Sequence, residues 1–273
     1  MVSTTDFGLK YYTGAESEMT ETRGALFDPV ELAQQTMKQV CDGEQRKYYR
    51  FRRSRFYGGI ATADCVGCCL RCIFCWSWNV VSSPLQVGTL HRPEEVASTL
   101  MGIARKKRIR QLRISGNEPT LAWEHLVKVL ELVEDRFLFI LETNGILIGA
   151  HEECARDLAR FRNLHARISL KGACAEEFSR LTRALPHGFA LQLSALERLT
   201  RAGVSTHAAC MVSFSTPDTI SSLRKELRTI DPHLGDLEVE ELTLYPHVEQ
   251  RLRNAHCTFY TAHQSDRVPP EQV

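Results

Sequence analysis

Apolar and polar positions along this chain fall into two periods, and the switches between them mark a series of elements. Asp28-Pro29 followed by Glu31 predicts a helix to about Val40, with an N-cap, proline in the first turn and a stop at Cys41-Asp42-Gly43. From Gly58-Gly59 onward the chain alternates. Strands are expected at Ile60–Val66, Gln111–Ser115, Phe137–Thr143, His165–Leu170, Ser205–Val212 and Val239–Tyr245. Helices are expected at Pro93–Lys107, Ala122–Asp135, Glu176–Ala184, Gln192–Ala202, Pro217–Ile230 and Val248–Ala255. Strands that alternate with helices imply a parallel sheet with crossover helices. A closed eight-unit barrel takes about 250 residues. The alternating region here spans roughly 200, which fits an open partial (β/α)6 barrel of TIM type, an α/β fold.

The flanks read differently. Residues 1 to about 27 are mixed and polar, an arm without a clear period. Residues 46–57, RKYYRFRRSRFY, interleave bases with aromatics. Tyr49, Phe51 and Arg53 share one alternation and Tyr48, Arg50 and Arg52 the other, so the stretch reads as a β-hairpin with aromatics inward and arginines outward. The domain division is thus an N-terminal extension (1–57), a barrel (58–256) and a flexible tail (257–273) whose polar, proline-containing sequence suits disorder.

Composition narrows the class. Lys and Arg total 34 against 33 Asp and Glu, a net charge of +1, so the chain is neither globally basic nor acidic. No apolar run reaches the roughly 20 residues of a membrane helix. The start has no basic-then-apolar leader, which points to a cytoplasmic protein. Ten cysteines are unusual, and five of them, Cys65, Cys68, Cys69, Cys72 and Cys75, crowd one loop. Clustered thiols in a reducing compartment point to metal. Two registers of C-x3-C-x2-C fit, Cys68/Cys72/Cys75 and Cys65/Cys69/Cys72. Three soft thiolates suit a [4Fe–4S] cluster with one iron left open. A zinc ribbon typically uses two separated C-x2-C pairs, and outside this loop the sequence has none.

Cys68-Cys69-Leu70-Arg71-Cys72-Ile73-Phe74-Cys75 resembles the cluster loop of radical S-adenosylmethionine (radical SAM) enzymes, C-N-L-R-C-x-aromatic-C. The resemblance selects Cys68, Cys72 and Cys75 as cluster ligands, because Phe74 then supplies the aromatic. It continues at the strand ends. Ser115-Gly116-Asn117-Glu118-Pro119 is similar to the G-G-E-P segment, and Glu142-Thr143-Asn144-Gly145 and Ser169-Leu170-Lys171 are similar to the D-T-N-G and D-L-K of glycyl-radical-enzyme activases. Leu244-Tyr245-Pro246-His247 is similar to their L-P-Y-H. The run as a whole also resembles an uncharacterised archaeal-type group of iron–sulfur radical SAM proteins.

The resemblance implies reductive cleavage of S-adenosylmethionine to a 5′-deoxyadenosyl radical that abstracts hydrogen from a substrate. It implies cofactor contacts from Phe74, Gly116, Asn117, Glu118, Thr143, Ser169, Lys171 and His247, with no catalytic residue beyond the cluster. A one-electron donor such as ferredoxin or flavodoxin would be a partner. Three substrate readings follow: a protein, as for the activases; tRNA or a nucleoside, favoured by the basic-aromatic stretch; or none, if the chain is a metal-binding module on a degenerate barrel. The remaining thiols Cys41, Cys154, Cys174, Cys210 and Cys257 read as structural, and His151, His165 and His207 have no ligand spacing.

Overall fold

The computed structural model describes residues 25–269. The sequence reading of an N-terminal arm falls almost wholly outside them. Six parallel strands, Ile60–Cys65, Gln111–Ser115, Leu138–Thr143, Leu164–Leu170, Ser205–Met211 and Glu238–Glu240, pair in chain order. The strand Gln45–Ser54 adds to the first of them antiparallel, and Cys41–Asp42 and Thr89–His91 pair with that edge strand in turn. Among the described residues nothing pairs Glu238–Glu240 back to that edge, so the sheet is an open half-barrel, as its length suggests. No described helix is long and apolar enough to cross a membrane.

Alternation along each strand sorts the two faces. Ala61, Ala63, Leu112, Ile114, Phe139, Leu141, Ala166, Ile168, Leu170, Ala208 and Cys210 join the apolar core with the crossover helices. The opposite, concave face carries Thr62, Asp64, Arg113, Ser115, Glu142, Arg167, Ser169, His207, Glu238 and Glu240. The helix Pro93–Lys107 shows how the outer layer is specified. Proline opens it, the Glu95 carboxylate accepts from the Arg92 amide at 2.9 Å, Val96, Ala97, Leu100, Met101 and Ala104 bury one stripe, and Arg108 ends it in the left-handed conformation.

Four expectations change. Of the stretch 46–57, residues up to Ser54 form one strand whose hairpin partner is Ile60–Cys65, Phe56–Gly58 makes a 3-10 turn, and a register shift between Tyr48 and Arg50 breaks the strand's alternation. Arg46 and Tyr48 are therefore buried, while Arg50 and Arg52 sit opposite Asp64 and Thr62 on the concave face. The expected strand Val239–Tyr245 divides: Glu238–Glu240 completes the barrel, and Thr243–Leu244 pairs with His263–Gln264. That pairing corrects the flexible tail, since 257–264 is tied down. The Tyr260 amide donates to the Ser213 carbonyl at 2.7 Å, His263 meets the Glu241 carboxylate at 2.7 Å, and Phe259 packs on a core of Phe214, Leu242, Leu244, Val248 and Leu252. Two short helices, Ile146–Ala150 and Glu152–Leu158, fill the third crossover, where the hydrophobic pattern predicts no element.

Candidate active site

The cysteine loop leaves the first parallel strand at Cys65 and is held from three sides. Gly67 has φ +92°, and a Cβ there would meet Thr36 Cγ2 at 2.8 Å, so only glycine fits the turn. The Arg71 and Ile73 amides donate to the Thr182 and Leu181 carbonyls at 3.1 and 2.8 Å. The Arg251 guanidinium donates to the carbonyls of Ile73 (3.1 Å) and Cys75, and lies over the Trp78 ring. His247 Nε2 donates to the Trp76 carbonyl at 2.7 Å while its ring stacks on Tyr245.

The five thiols of the loop, Cys65, Cys68, Cys69, Cys72 and Cys75, are free. Burial pushes the Cys72 thiol far up, and the nearby Lys171 ammonium pulls in the opposite direction. Cys68 and Cys75 lie close enough that their negative charge would raise Cys72 further, so the three thiols of the selected register converge. A hydrogen bond from Cys69 draws Cys68 down and pushes Cys69 up. Cys68 Sγ also accepts from the Leu70 amide at 3.4 Å, and Cys69 Sγ is clasped by Asn144 Nδ2 at 3.3 Å. Cys68, drawn toward thiolate by the Cys69 hydrogen bond and the Leu70 amide, suits a cationic iron group, whose charge would offset the burial that disfavours Cys72 as thiolate. Among the described residues no three His, Cys, Asp or Glu side chains meet around one point as a single ion requires. A [4Fe–4S] group instead takes one thiolate per iron, so three soft donors on a loop fit it.

The strand ends converge on this loop. Gly116, φ +96°, presses on the first strand so closely that a Cβ would lie 2.9 Å from Asp64 Cα. Asn117 bridges loop to loop: its Oδ1 accepts from the Gly67 amide at 2.9 Å, and its Nδ2 donates to Ser77 Oγ at 2.9 Å. Glu118, 1% exposed, accepts from the Thr120 amide (3.1 Å), Thr120 Oγ1 (2.7 Å), Thr143 Oγ1 (2.6 Å) and the Asn144 amide (2.8 Å). Its carboxylate is thus engaged by the chain's own donors, and Thr143 turns inward to serve it. Lys171 Nζ donates to Ser169 Oγ at 2.5 Å, and Phe74 stacks on Phe214 with ring centres 5.5 Å apart.

Two residues that hold the site take no role from the sequence, Asn144 within the Glu142-Thr143-Asn144-Gly145 match and Gln192 outside any motif. Asn144 links Glu118 to Cys69. Gln192, wholly buried, donates to the Asn144 and Ser169 carbonyls at 2.6 and 3.1 Å and accepts from the Lys171 amide, tying two strand ends. A glutamine among Ala195, Leu196 and Leu199 on a buried helical stripe was the available signal.

Charges fill the concave face beneath. Arg113 pairs with Glu142 at 2.5 Å, and Ser115 and Tyr57 also donate to that carboxylate. Arg167 pairs with Glu238 and Glu240 at 2.6 and 2.8 Å, and Ser169 donates to Glu240. His207 bridges Glu238 and His165, at 2.6 Å each, so both histidines belong to this network. Burial opposes ionisation of Glu238 and Glu240. The hydrogen bonds from His207 and Arg167 outweigh it for Glu238, and the charges of Arg167 and Lys171 outweigh it for Glu240, bringing both to about 2. Cys210 faces away, donating to the Gly172 carbonyl.

Comparison with known proteins agrees with this arrangement. Residues 64–227, more than half of the chain, match the radical SAM superfamily. SuiB of Streptococcus suis bound to S-adenosylmethionine shares the fold at TM-score 0.52 and 14% identity, over 73% of this chain and 48% of SuiB. SuiB bound to its precursor peptide SuiA gives 0.53 and 15%, over 76% and 48%. The enzyme anSMEcpe with bound AdoMet and a Cp18Cys peptide gives 0.51 and 21%, over 68% and 50%. The chain spans about half the length of these structures. No curated protein matches it. Through residues 64–227, from the end of the first parallel strand into the helix Pro217–Ile230, this chain belongs to the radical SAM superfamily.

Proposed function

We propose that the chain is an enzyme that holds a [4Fe–4S] cluster on Cys68, Cys72 and Cys75 and cleaves S-adenosylmethionine reductively. The observation that carries this is the convergence of three free thiols, with the Lys171 ammonium beside them, at the carboxyl end of the first parallel strand. When bound and reduced, the cluster supplies one electron that breaks the cofactor's sulfur–C5′ bond, leaving methionine and a 5′-deoxyadenosyl radical that takes a hydrogen atom from the substrate. A one-electron donor such as ferredoxin or flavodoxin belongs to this reading.

The chain's own residues bind and orient. Phe74, Gly116, Asn117, Thr143, Ser169, Lys171 and His247 border the loop and are assigned to the cofactor. Glu118 serves it by fixing Thr143 and Asn144. Cys72 is buried, Cys68 and Cys75 are partly exposed, and Phe74 between Cys72 and Cys75 is fixed by its stack on Phe214.

For the substrate we favour a polypeptide presented to the open half-barrel. SuiB and anSMEcpe, with the same fold, carry peptides in their structures. The basic-aromatic stretch supports tRNA less well, because Arg46 and Tyr48 are buried and Tyr49 and Phe51 pack on the core, which takes these rings from base stacking. Anaerobic reconstitution, dithionite reduction and assay for 5′-deoxyadenosine test the reaction. Product from the wild type and none from Cys72→Ala is the expected outcome; product from both, or from neither, overturns it.

A further inference from the structure

We infer that Arg50 and Arg52 form an oxyanion subsite for the substrate, at the antiparallel edge of the concave face. This rests on the reading above that the concave face receives substrate. The argument starts from charge. Arg113 has Glu142, and Arg167 with Lys171 is matched by Glu238 and Glu240. Arg50 and Arg52 share one carboxylate: both Nε atoms donate to Asp64 Oδ2, at 2.7 and 2.8 Å. Two guanidiniums on one carboxylate leave a positive charge over.

The geometry leaves donors over as well. Arg50 meets Asp64 through Nε alone, and Arg52 adds only a 3.5 Å contact from Nη2, so the outer guanidinium edges face away from the carboxylate. Asp64 is wholly buried, whereas Arg50 is 43% and Arg52 26% exposed. The buried carboxylate thus orients two forks toward solvent on the concave side. Asp64 immediately precedes Cys65 and lies against Gly116, which puts the pair at the strand end where the cysteine loop begins. A carboxylate or phosphate is the chemistry that such forks recognise. The amino end of the face offers no such opening. There Phe56 covers Arg113, and Tyr57, in the left-handed conformation at φ 55°, donates to Glu142.

Isothermal titration calorimetry on the full chain, with and without reconstituted cluster, tests the subsite with inorganic phosphate and with acetate at low ionic strength. Saturable binding is expected, and Arg50→Gln and Arg52→Gln should each weaken it about tenfold. Arg253→Gln, at an exposed arginine already paired with Glu249, should leave it unchanged. Phosphate alone binding marks a phosphoryl group on the substrate; acetate binding as well marks a carboxylate. Arg50→Gln keeps the Arg52–Asp64 pair, so it reads ligand binding apart from folding. No saturable binding of either anion, or binding that both variants leave intact, overturns the inference. Because this readout needs no turnover, a chain that binds oxyanion yet yields no 5′-deoxyadenosine retains the subsite and loses the proposed reaction.

Discussion

Replacing Glu118 with glutamine separates a carboxylate that pins the strand ends from one left free for a ligand. In the structure Oε1 accepts three hydrogen bonds and Oε2 accepts the Asn144 amide at 2.8 Å, all out of solvent. A glutamine retains a neutral acceptor for Thr120 and Thr143, and turns an NH2 toward the Asn144 N–H. That loses one bond, leaves a buried N–H unpaired and weakens three charge-assisted bonds, while relieving the cost of burying a charge. The net loss is about 2–4 kcal/mol, since an unpaired buried donor alone costs about 1–3 kcal/mol. Urea denaturation of wild type and Glu118→Gln measures it. Asn144 clasps Cys69 and reaches Cys68, so iron retention in the variant should fall alongside stability. A Glu118→Gln protein as stable as wild type, with full iron content, would refute the pinning argument.

Other outcomes follow from the same contacts. Gly116→Ala forces a Cβ within 2.9 Å of Asp64 at positive φ, and should cost roughly 1–3 kcal/mol of stability by denaturant midpoint. Gln192→Leu strips partners from the Asn144 and Ser169 carbonyls and the Lys171 amide. It should lower stability by about 2–4 kcal/mol and reduce cluster loading, read from the absorbance of the reconstituted protein. Glu238 and Glu240 titrate at about 2 in the fold, below the ordinary carboxylate value of about 4.3, so their contribution is complete above that value and is lost as pH falls through the window between the two. Denaturation midpoints taken down to about pH 3 should decline, and Arg167→Met should flatten that decline.

Much of the fold was legible because both periods are strong where burial is one-sided. The helices Pro93–Lys107 and Pro217–Ile230 announce themselves by proline at the start and a stripe every three or four residues. Strand interiors betray the concave face through single charges in apolar runs, Arg113 in QLRIS and Arg167 in LHARISL. What escaped depends on distant pairing. Val239 to Tyr245 alternates convincingly, yet Thr243–Leu244 pairs with residues twenty positions on, which no local window contains. The register shift near Tyr48 buries Arg46 and Tyr48 as well, while Phe51 packs on the core and Arg50 and Arg52 face away from it as the alternation predicts. The cysteine spacing carried the centre of the site. Its supports did not show, because Asn144 and Gln192 act through backbone groups that only the folded chain brings near.

The central claim is that Cys68, Cys72 and Cys75, among five crowded thiols, hold the cluster that cleaves S-adenosylmethionine. The direct measurement is 5′-deoxyadenosine formation, with iron and sulfide content, for five reconstituted proteins each carrying one Cys→Ala change at 65, 68, 69, 72 or 75. Loss of cluster and product at 68, 72 and 75, with both kept at 65 and 69, is the expected result. Product from the Cys72→Ala protein, or loss at 65 and 69 with retention at 68 and 75, would contradict the account.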